Sequence, residues 1–318
     1  MTAGFSYDLA SEQLKRGWVE TNGVCPTREM MRYLAKEPLS FEPGTQWQYS
    51  FCHDVLAALV EVVSGMQFSA FVSQYIFEPL EMKHSTFDDR TVNREELMAQ
   101  YRYDAERKCL VNCGKENQGF KLGRAYESGG AGCISSVDDY IRFAEALRKE
   151  NVLLNTKTSR LMWSNQLNEA CLNTFSQDRV RDYGYGLGVR CPQMYSTKKD
   201  FGWGGAGGAF LAISPQSGYS LLYVQHVLDS PVQAVKGELV WQMAAPVLQA
   251  KDFEHLLDGG SVWLAVVKQQ WKDDILLHGQ FRDKLEGLED KSYIAPPEDG
   301  ARLLFQGKKI VSVNADFS

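Results

Sequence analysis

Apolar residues recur at helical spacing in the first half of this chain and give way to short aromatic and β-branched runs from Tyr183 onward, so the pattern predicts helices first and strands later. Thr27 to Leu34 reads as a short helix. Phe41-Glu42-Pro43-Gly44-Thr45 then supplies a turn, because proline presets φ and glycine tolerates the positive φ that follows. From Asp54 to Ser64 the apolar positions Val55, Leu56, Leu59, Val60 and Val63 predict a buried helix with Gly65 as its C-cap. A second helix, Phe68 to Phe77, stops before Pro79, which cannot continue the hydrogen-bond ladder.

Asp89 to Lys121 is polar and weakly periodic and predicts loops with one short hairpin around Tyr101 to Val111. Ser136 with Asp139 three residues on is an N-cap signal, opening a helix whose expected apolar face is Tyr140, Phe143, Ala144 and Leu147. A further helix is expected around Asn155 to Gln166. Tyr183 to Arg190, Phe210 to Ser214 and Tyr219 to His226 read as strands, the last two joined by the turn Pro215-Gln216-Ser217-Gly218. A helix from Val232 to Ala245 would cover that sheet. Residues 251–318 differ in texture: Trp263 and Trp271 fall on a possible amphipathic helix, and Arg302 to Phe305 and Lys309 to Val313 read as strands. The domain expectation is therefore 1–250 as the main domain and 251–318 as an extension of unknown role.

Composition removes several function classes. At 318 residues and 44% hydrophobic content the chain can bury a large core. A net charge of -6, with no basic stripe interleaved with aromatics, argues against nucleic acid as a partner. No apolar run reaches the roughly 20 residues needed to span a bilayer. Seven scattered cysteines make a poor disulfide framework and fit a reducing, cytoplasmic compartment. Cys109 and Cys113 lack a nearby second pair of zinc ligands, and no metal or cofactor is expected.

Three segments carry candidate chemistry: Pro43-Gly44-Thr45 through Tyr49-Ser50, Gly129-Gly130-Ala131-Gly132, and Trp203-Gly204-Gly205. With Val62-x-Ser64-Gly65 and Pro79-Leu80-Glu81-Met82 between them, their order resembles the serine β-lactamase and penicillin-binding-protein-like family, nearest its class C-like (family VIII-type) esterases. The resemblance covers Met1 to about Leu248. It implies an α+β fold of the β-lactamase/transpeptidase type, an antiparallel sheet flanked by helices with a helical subdomain.

In that family a serine of a Ser-x-x-Lys sequence attacks an acyl carbon, and a tyrosine relays the proton. Tyr49 matches the tyrosine; without the flanking motif it would read as an ordinary half-buried phenol. Phe51 stands where an asparagine is common, at a substrate-binding position. Trp203, Gly204 and Gly205 match the third motif, and the resemblance places the Ala206 N–H in the oxyanion hole. Trp203 in place of lysine removes the cation that would hold a carboxylate, which favours ester or short acyl substrates; its alternative is a packing role on a glycine-rich strand. Gly129 to Gly132 read as structural, permitting a tight approach.

No nucleophile is assigned. The only Ser-x-x-Lys is Ser196-Thr197-Lys198-Lys199, in a polar turn, while Ser6, Ser11 and Ser50 lack the lysine. Met1 to Ser6 resembles the segment that follows the family's nucleophile helix, so the N-terminal helix, the nucleophile and the first strands are expected outside this chain, leaving a strand edge and an apolar helix face unsatisfied. Expected partners are small ester, amide or peptide substrates, with the oligomeric state open. Two other readings stand beside this one: a noncatalytic binding or scaffold relative, and an interaction module at Trp263 to Leu277.

Overall fold

The computed structural model describes residues 1–115, 119–149, 151–178 and 182–230, together with the backbone of five later strands. The chain divides into two compact units: Met1–Asn93, Gln118–Ser135 and Arg160–Lys198 form the first, and Arg94–Asn117, Ser136–Ser159 and Lys199–Ser318 the second.

The first unit is mainly helical. α1 (Glu12–Glu20) starts at Ser11, whose hydroxyl accepts the Leu14 N–H. α2 (Thr27–Leu34) matches the predicted span, and α3 (Cys52–Ser64) ends on Gly65 at φ 72°, the left-handed cap its sequence predicts. α4 (Phe68–Val72) runs into a π-turn, Ser73–Phe77, ahead of Pro79. α1, α2 and α3 close on a core of Leu14, Cys25, Met30, Leu34, Phe51 and Tyr126.

α3 corrects one expectation. The helix is present, but Leu56, Leu59, Val62 and Val63 are 52–79% exposed. Its covered side is Asp54, Ala57 and Ala58, small residues that allow close packing. Later in this unit come α7 (Glu169–Asp178) and a hairpin of β3 (Tyr183–Tyr185) with β4 (Arg190–Pro192).

The second unit holds the other strands. β1 (Tyr101–Asp104) and β2 (Cys109–Asn112) form the expected hairpin, and β7 (Val227–Leu228) pairs parallel to β1. β5 (Phe210–Ser214) and β6 (Tyr219–Gln225) are antiparallel across the predicted turn, in which Gly218 takes φ 71°. β9 (Val262–Lys268) runs antiparallel along all of β6, and β8 (His255–Asp258), β12 (Lys309–Ala315), β11 (Ala301–Gln306) and β10 (Lys291–Ile294) continue the sheet in the order β10-β11-β12-β8-β9-β6-β5. The five later strands thus share a sheet with β5 and β6, and because β12 pairs parallel to β8 the sheet is mixed rather than the antiparallel one expected. Trp263 lies in β9 rather than on a helix, because its neighbours Val262, Leu264, Val266 and Val267 are β-formers that find a partner strand. Trp271 and the helix expected at Val232 to Ala245 lie outside the described residues.

α5 (Val137–Arg148) packs on β5 and β6 and is capped by Ser136, whose hydroxyl accepts the Asp139 N–H. Its buried face differs from the one expected: Ile141, Ala144 and Ala146 are buried while Tyr140, Phe143 and Leu147 are half-buried. Glu145 and Arg148 are buried as a bidentate pair at 2.8 and 2.6 Å, so polar positions on this helix also face inward. Among the described residues, no single helix is long and apolar enough to cross a membrane.

Candidate active site

Tyr49 belongs to the first unit and Trp203 to Ala206 to the second.

The Tyr49 segment is held by backbone on one side and by rings on the other. After the Pro43-Gly44-Thr45 turn, closed by Thr45 N–H donating to the Glu42 carbonyl at 3.1 Å, Gly44 and Gln48 donate to the Thr2 and Met1 carbonyls at 2.8 and 2.9 Å. The Trp47 N–H donates to Thr174 Oγ1 at 2.8 Å, and the Trp47 ring packs edge-on against Phe175 and Tyr185, with centroids 4.9 and 5.5 Å apart. Tyr49 itself is half-buried and meets Tyr7 edge-on at 5.3 Å. Phe51, expected at the substrate, is 1% exposed and packs in the core beside Tyr7, so its ring offers substrate no face.

Burial biases the tyrosines and the histidine beside Tyr49 toward their neutral forms. Burial, then the neighbouring Tyr49 and Asp54, push the Tyr7 phenol up to about 12. Burial, with Tyr49 and Cys52 adding to it, raises Tyr185 well above the usual phenol range. Burial, reinforced by the amino-terminal charge and opposed by Asp54, holds His53 below the usual imidazole range. Its Nε2 lies 3.4 Å from the Tyr185 hydroxyl.

The Ser50 hydroxyl is buried and donates to Cys52 Sγ at 3.1 Å. Ser196 sits on the turn expected for it: its N–H donates to the Gln193 carbonyl, and its Oγ accepts the Lys198 N–H, both at 3.0 Å.

The glycine loop is fixed to the start of α3, which supports its structural reading. Asp54, 1% exposed, accepts at Oδ1 from the Tyr126 hydroxyl at 2.8 Å and the Ser128 hydroxyl at 2.6 Å; its Oδ2 has no partner. Desolvation raises this carboxyl above the usual range, although both hydroxyls and His53 act against it. Ser128 in turn orders the loop, accepting Ala131 N–H at Oγ (3.0 Å) and Gly132 N–H at its carbonyl (2.9 Å). A Cβ on Gly129 would lie 2.3 Å from the His53 carbonyl oxygen, so only glycine fits that contact.

In the second unit, Phe201 to Gly205 pairs antiparallel with β5 through bridges Phe201↔Ile213 and Gly204↔Phe210. Gly202 has φ 152°, and a Cβ there would sit 2.0 Å from the Leu211 carbonyl oxygen. Trp203 is half-buried and its carbonyl accepts the Leu211 N–H at 2.8 Å. Gly205 donates to the Ala209 carbonyl at 2.8 Å, and Gly208 N–H closes a turn onto the Gly205 carbonyl at 3.1 Å. Ala206 occupies the exposed corner of that turn, and among the described residues its N–H donates to no backbone carbonyl. An N–H presented this way can bind an oxyanion.

His53 and Tyr185 were not singled out from the sequence. They stand 132 positions apart, and Tyr183 to Arg190, read as one strand, is instead a β3–β4 hairpin whose turn the Gly186 N–H closes onto the Val189 carbonyl at 2.8 Å.

A Pro-Gly-Thr turn leading into a framed tyrosine, a glycine loop anchored by a buried carboxyl and a Trp-Gly-Gly strand beside the antiparallel β5–β6 pair define an α+β chain of the β-lactamase/transpeptidase class. A family model described as Beta-lactamase matches residues 1–244, and the chain belongs to that family. Esterase EstB of Burkholderia gladioli is 35% identical over 135 residues, covering 38% of this chain and 34% of that protein. The mitochondrial serine beta-lactamase-like protein LACTB of Homo sapiens is 28% identical over 176 residues, covering 51% of this chain and 30% of that one. The chain spans about a third of the length of these curated relatives. A LovD6 mutant of simvastatin synthase from Aspergillus terreus has a TM-score of 0.62 at 20% identity, covering 78% of this chain and 64% of that chain, a likeness of fold.

Proposed function

We propose that this chain carries part of an esterase-type acyl-transfer site, with Tyr49 as proton relay and the Ala206 N–H as one oxyanion donor. The observation that supports the reading is the Tyr49 ring held edge-on against Tyr7 on a segment that Gly44, Trp47 and Gln48 tie down, since a relay must be held in place to lower a barrier. In the reaction proposed, a serine oxygen bonds to the acyl carbon of an ester, Tyr49 passes the serine proton to the departing alcohol as the C–O bond breaks, and water then releases the acid. Trp203 in place of a cation favours an uncharged acyl group, in line with relatives named as an esterase and a simvastatin synthase. The chain's one Ser-x-x-Lys, at Ser196, lies on a polar turn rather than at a helix start, so we assign the chain no covalent step of its own. That gap also supports the second reading, a noncatalytic relative that binds acyl compounds.

The test uses p-nitrophenyl acetate with the chain as it stands and with its coding frame extended upstream to a Ser-x-x-Lys segment. The expected result is no hydrolysis by the chain alone and, in the extended form, hydrolysis that Tyr49→Phe lowers by about 10²- to 10⁴-fold. Hydrolysis by the present chain that Ser196→Ala abolishes would overturn the assignment. An open upstream frame with no Ser-x-x-Lys would favour the noncatalytic reading.

A further inference from the structure

The residues that flank Tyr49 in sequence meet one and the same side chain. Trp47, two positions before it, packs on the Tyr185 ring at 5.5 Å, and His53, four positions after it, places Nε2 3.4 Å from the Tyr185 hydroxyl. Tyr185 is itself immobilised. Its N–H donates to Asn165 Oδ1 at 3.1 Å, its carbonyl accepts the Gln166 N–H at 2.9 Å, its ring lies 5.8 Å from Phe175, and β3 pairs with β4. The His53 ring is confined as well, because its backbone carbonyl abuts Gly129 and its Nε2 faces Gly188 in the β3–β4 turn.

We propose that Tyr185 and His53 are a positioning pair that clamps the Tyr49 segment at both ends, with neutral His53 accepting the Tyr185 hydroxyl proton at Nε2. The inference rests on the reading of Tyr49 as a relay only for its catalytic consequence; the clamp itself is a statement about Tyr185, Trp47 and His53. A buried phenol stays protonated, so it can donate to Nε2 when the imidazole carries its proton on Nδ1. Protonation of His53 removes that lone pair and turns Nε2 into a donor facing the buried phenol. The charged and titratable groups facing this pair are Asp54 and the Met1 amino group at His53, and Tyr49 and Cys52 at Tyr185. Acidification therefore loosens the clamp as His53 gains its proton, below the pH at which an ordinary imidazole titrates.

The test reads the clamp without catalysis. Histidine ring nuclei of the labelled full chain are followed by NMR from about pH 5 to 8, in wild type and Tyr185→Phe. His53 is one of five histidines; it is expected to show an unprotonated Nε2 throughout most of that range, and Tyr185→Phe, which keeps the ring and removes the hydroxyl, is expected to shift its resonances and midpoint while leaving exposed His84 unchanged. Tyr49 is read in the same proteins by tetranitromethane nitration mapped by mass spectrometry, expected to rise several-fold in Tyr185→Phe and His53→Leu and to return toward wild type in His53→Gln, which restores an acceptor. His53 titrating like His84 and ignoring Tyr185→Phe, or Tyr49 nitration equal in all four proteins, overturns the proposal. Should His53→Leu fail to fold, Tyr185→Phe carries the decision. A failed relay reading shows differently: Tyr49→Phe leaves hydrolysis by the extended form unchanged while the NMR and nitration results stand.

Discussion

Replacing Asp54 by alanine tests whether the glycine loop is held by one buried carboxyl. In the folded chain Tyr126 and Ser128, 3% and 1% exposed, both donate to Asp54 Oδ1. Alanine leaves two buried hydroxyls without their acceptor at about 1–3 kcal/mol each, partly offset by removal of a desolvated acid, for a net local loss of about 2–4 kcal/mol. The loop amides report it directly: Ala131 and Gly132 donate to Ser128, so their hydrogen exchange should accelerate by about 30- to 10³-fold. Asp54→Asn should cost far less, since its Oδ1 keeps both donors and its amide replaces an oxygen that already lacked a partner. The acid has a sign as well. Its folded pKa lies above the unfolded value, so its contribution is fully present below the unfolded pKa of 3.8 and is lost as pH rises through the folded one. Wild type should therefore lose stability relative to Asp54→Asn as pH rises through that window. Unchanged loop exchange in Asp54→Ala would refute the anchoring.

Two further substitutions probe other contacts. Glu145→Ala strands the Arg148 guanidinium, 6% exposed, and should destabilise the second unit by about 3–5 kcal/mol in urea unfolding, whereas replacing both residues by leucine should recover most of that loss. Gly129→Ala places a methyl 2.3 Å from the His53 carbonyl oxygen and should cost about 1–3 kcal/mol, seen as faster exchange in both the loop and the first turn of α3.

Local signals were legible where the chain's own neighbours decide them. α2 falls on its predicted span, Gly65 and Ser136 cap as read, and the β5–β6 turn forms where proline and glycine called for it. α1 went unread because Gly17 interrupts a charged stretch; it is supported by the Ser11 cap and by Lys15–Glu12 and Arg16–Glu20 pairs one turn apart. At the candidate site, Tyr49, Trp203 and Ala206 could be proposed from the sequence because each lies in a short contiguous motif. The Tyr185–His53 contact joins positions 132 apart and has no signature in spacing.

α3 shows why periodicity alone could not fix what faces inward. Its sequence, Cys-His-Asp-Val-Leu-Ala-Ala-Leu-Val-Glu-Val-Val-Ser, is apolar on nearly every side, so a hydrophobic count predicts burial without choosing a face. Packing chose the side of Asp54, Ala57 and Ala58, where small side chains let the glycine loop approach and a carboxyl could be satisfied by two hydroxyls, and left Leu56 and Val63 outside. The same first turn that presents Asp54 to the loop presents His53 to Tyr185. The orientation of this hydrophobic stretch thus follows the two polar residues of its first turn, which connect the helix to the glycine loop and to Tyr185.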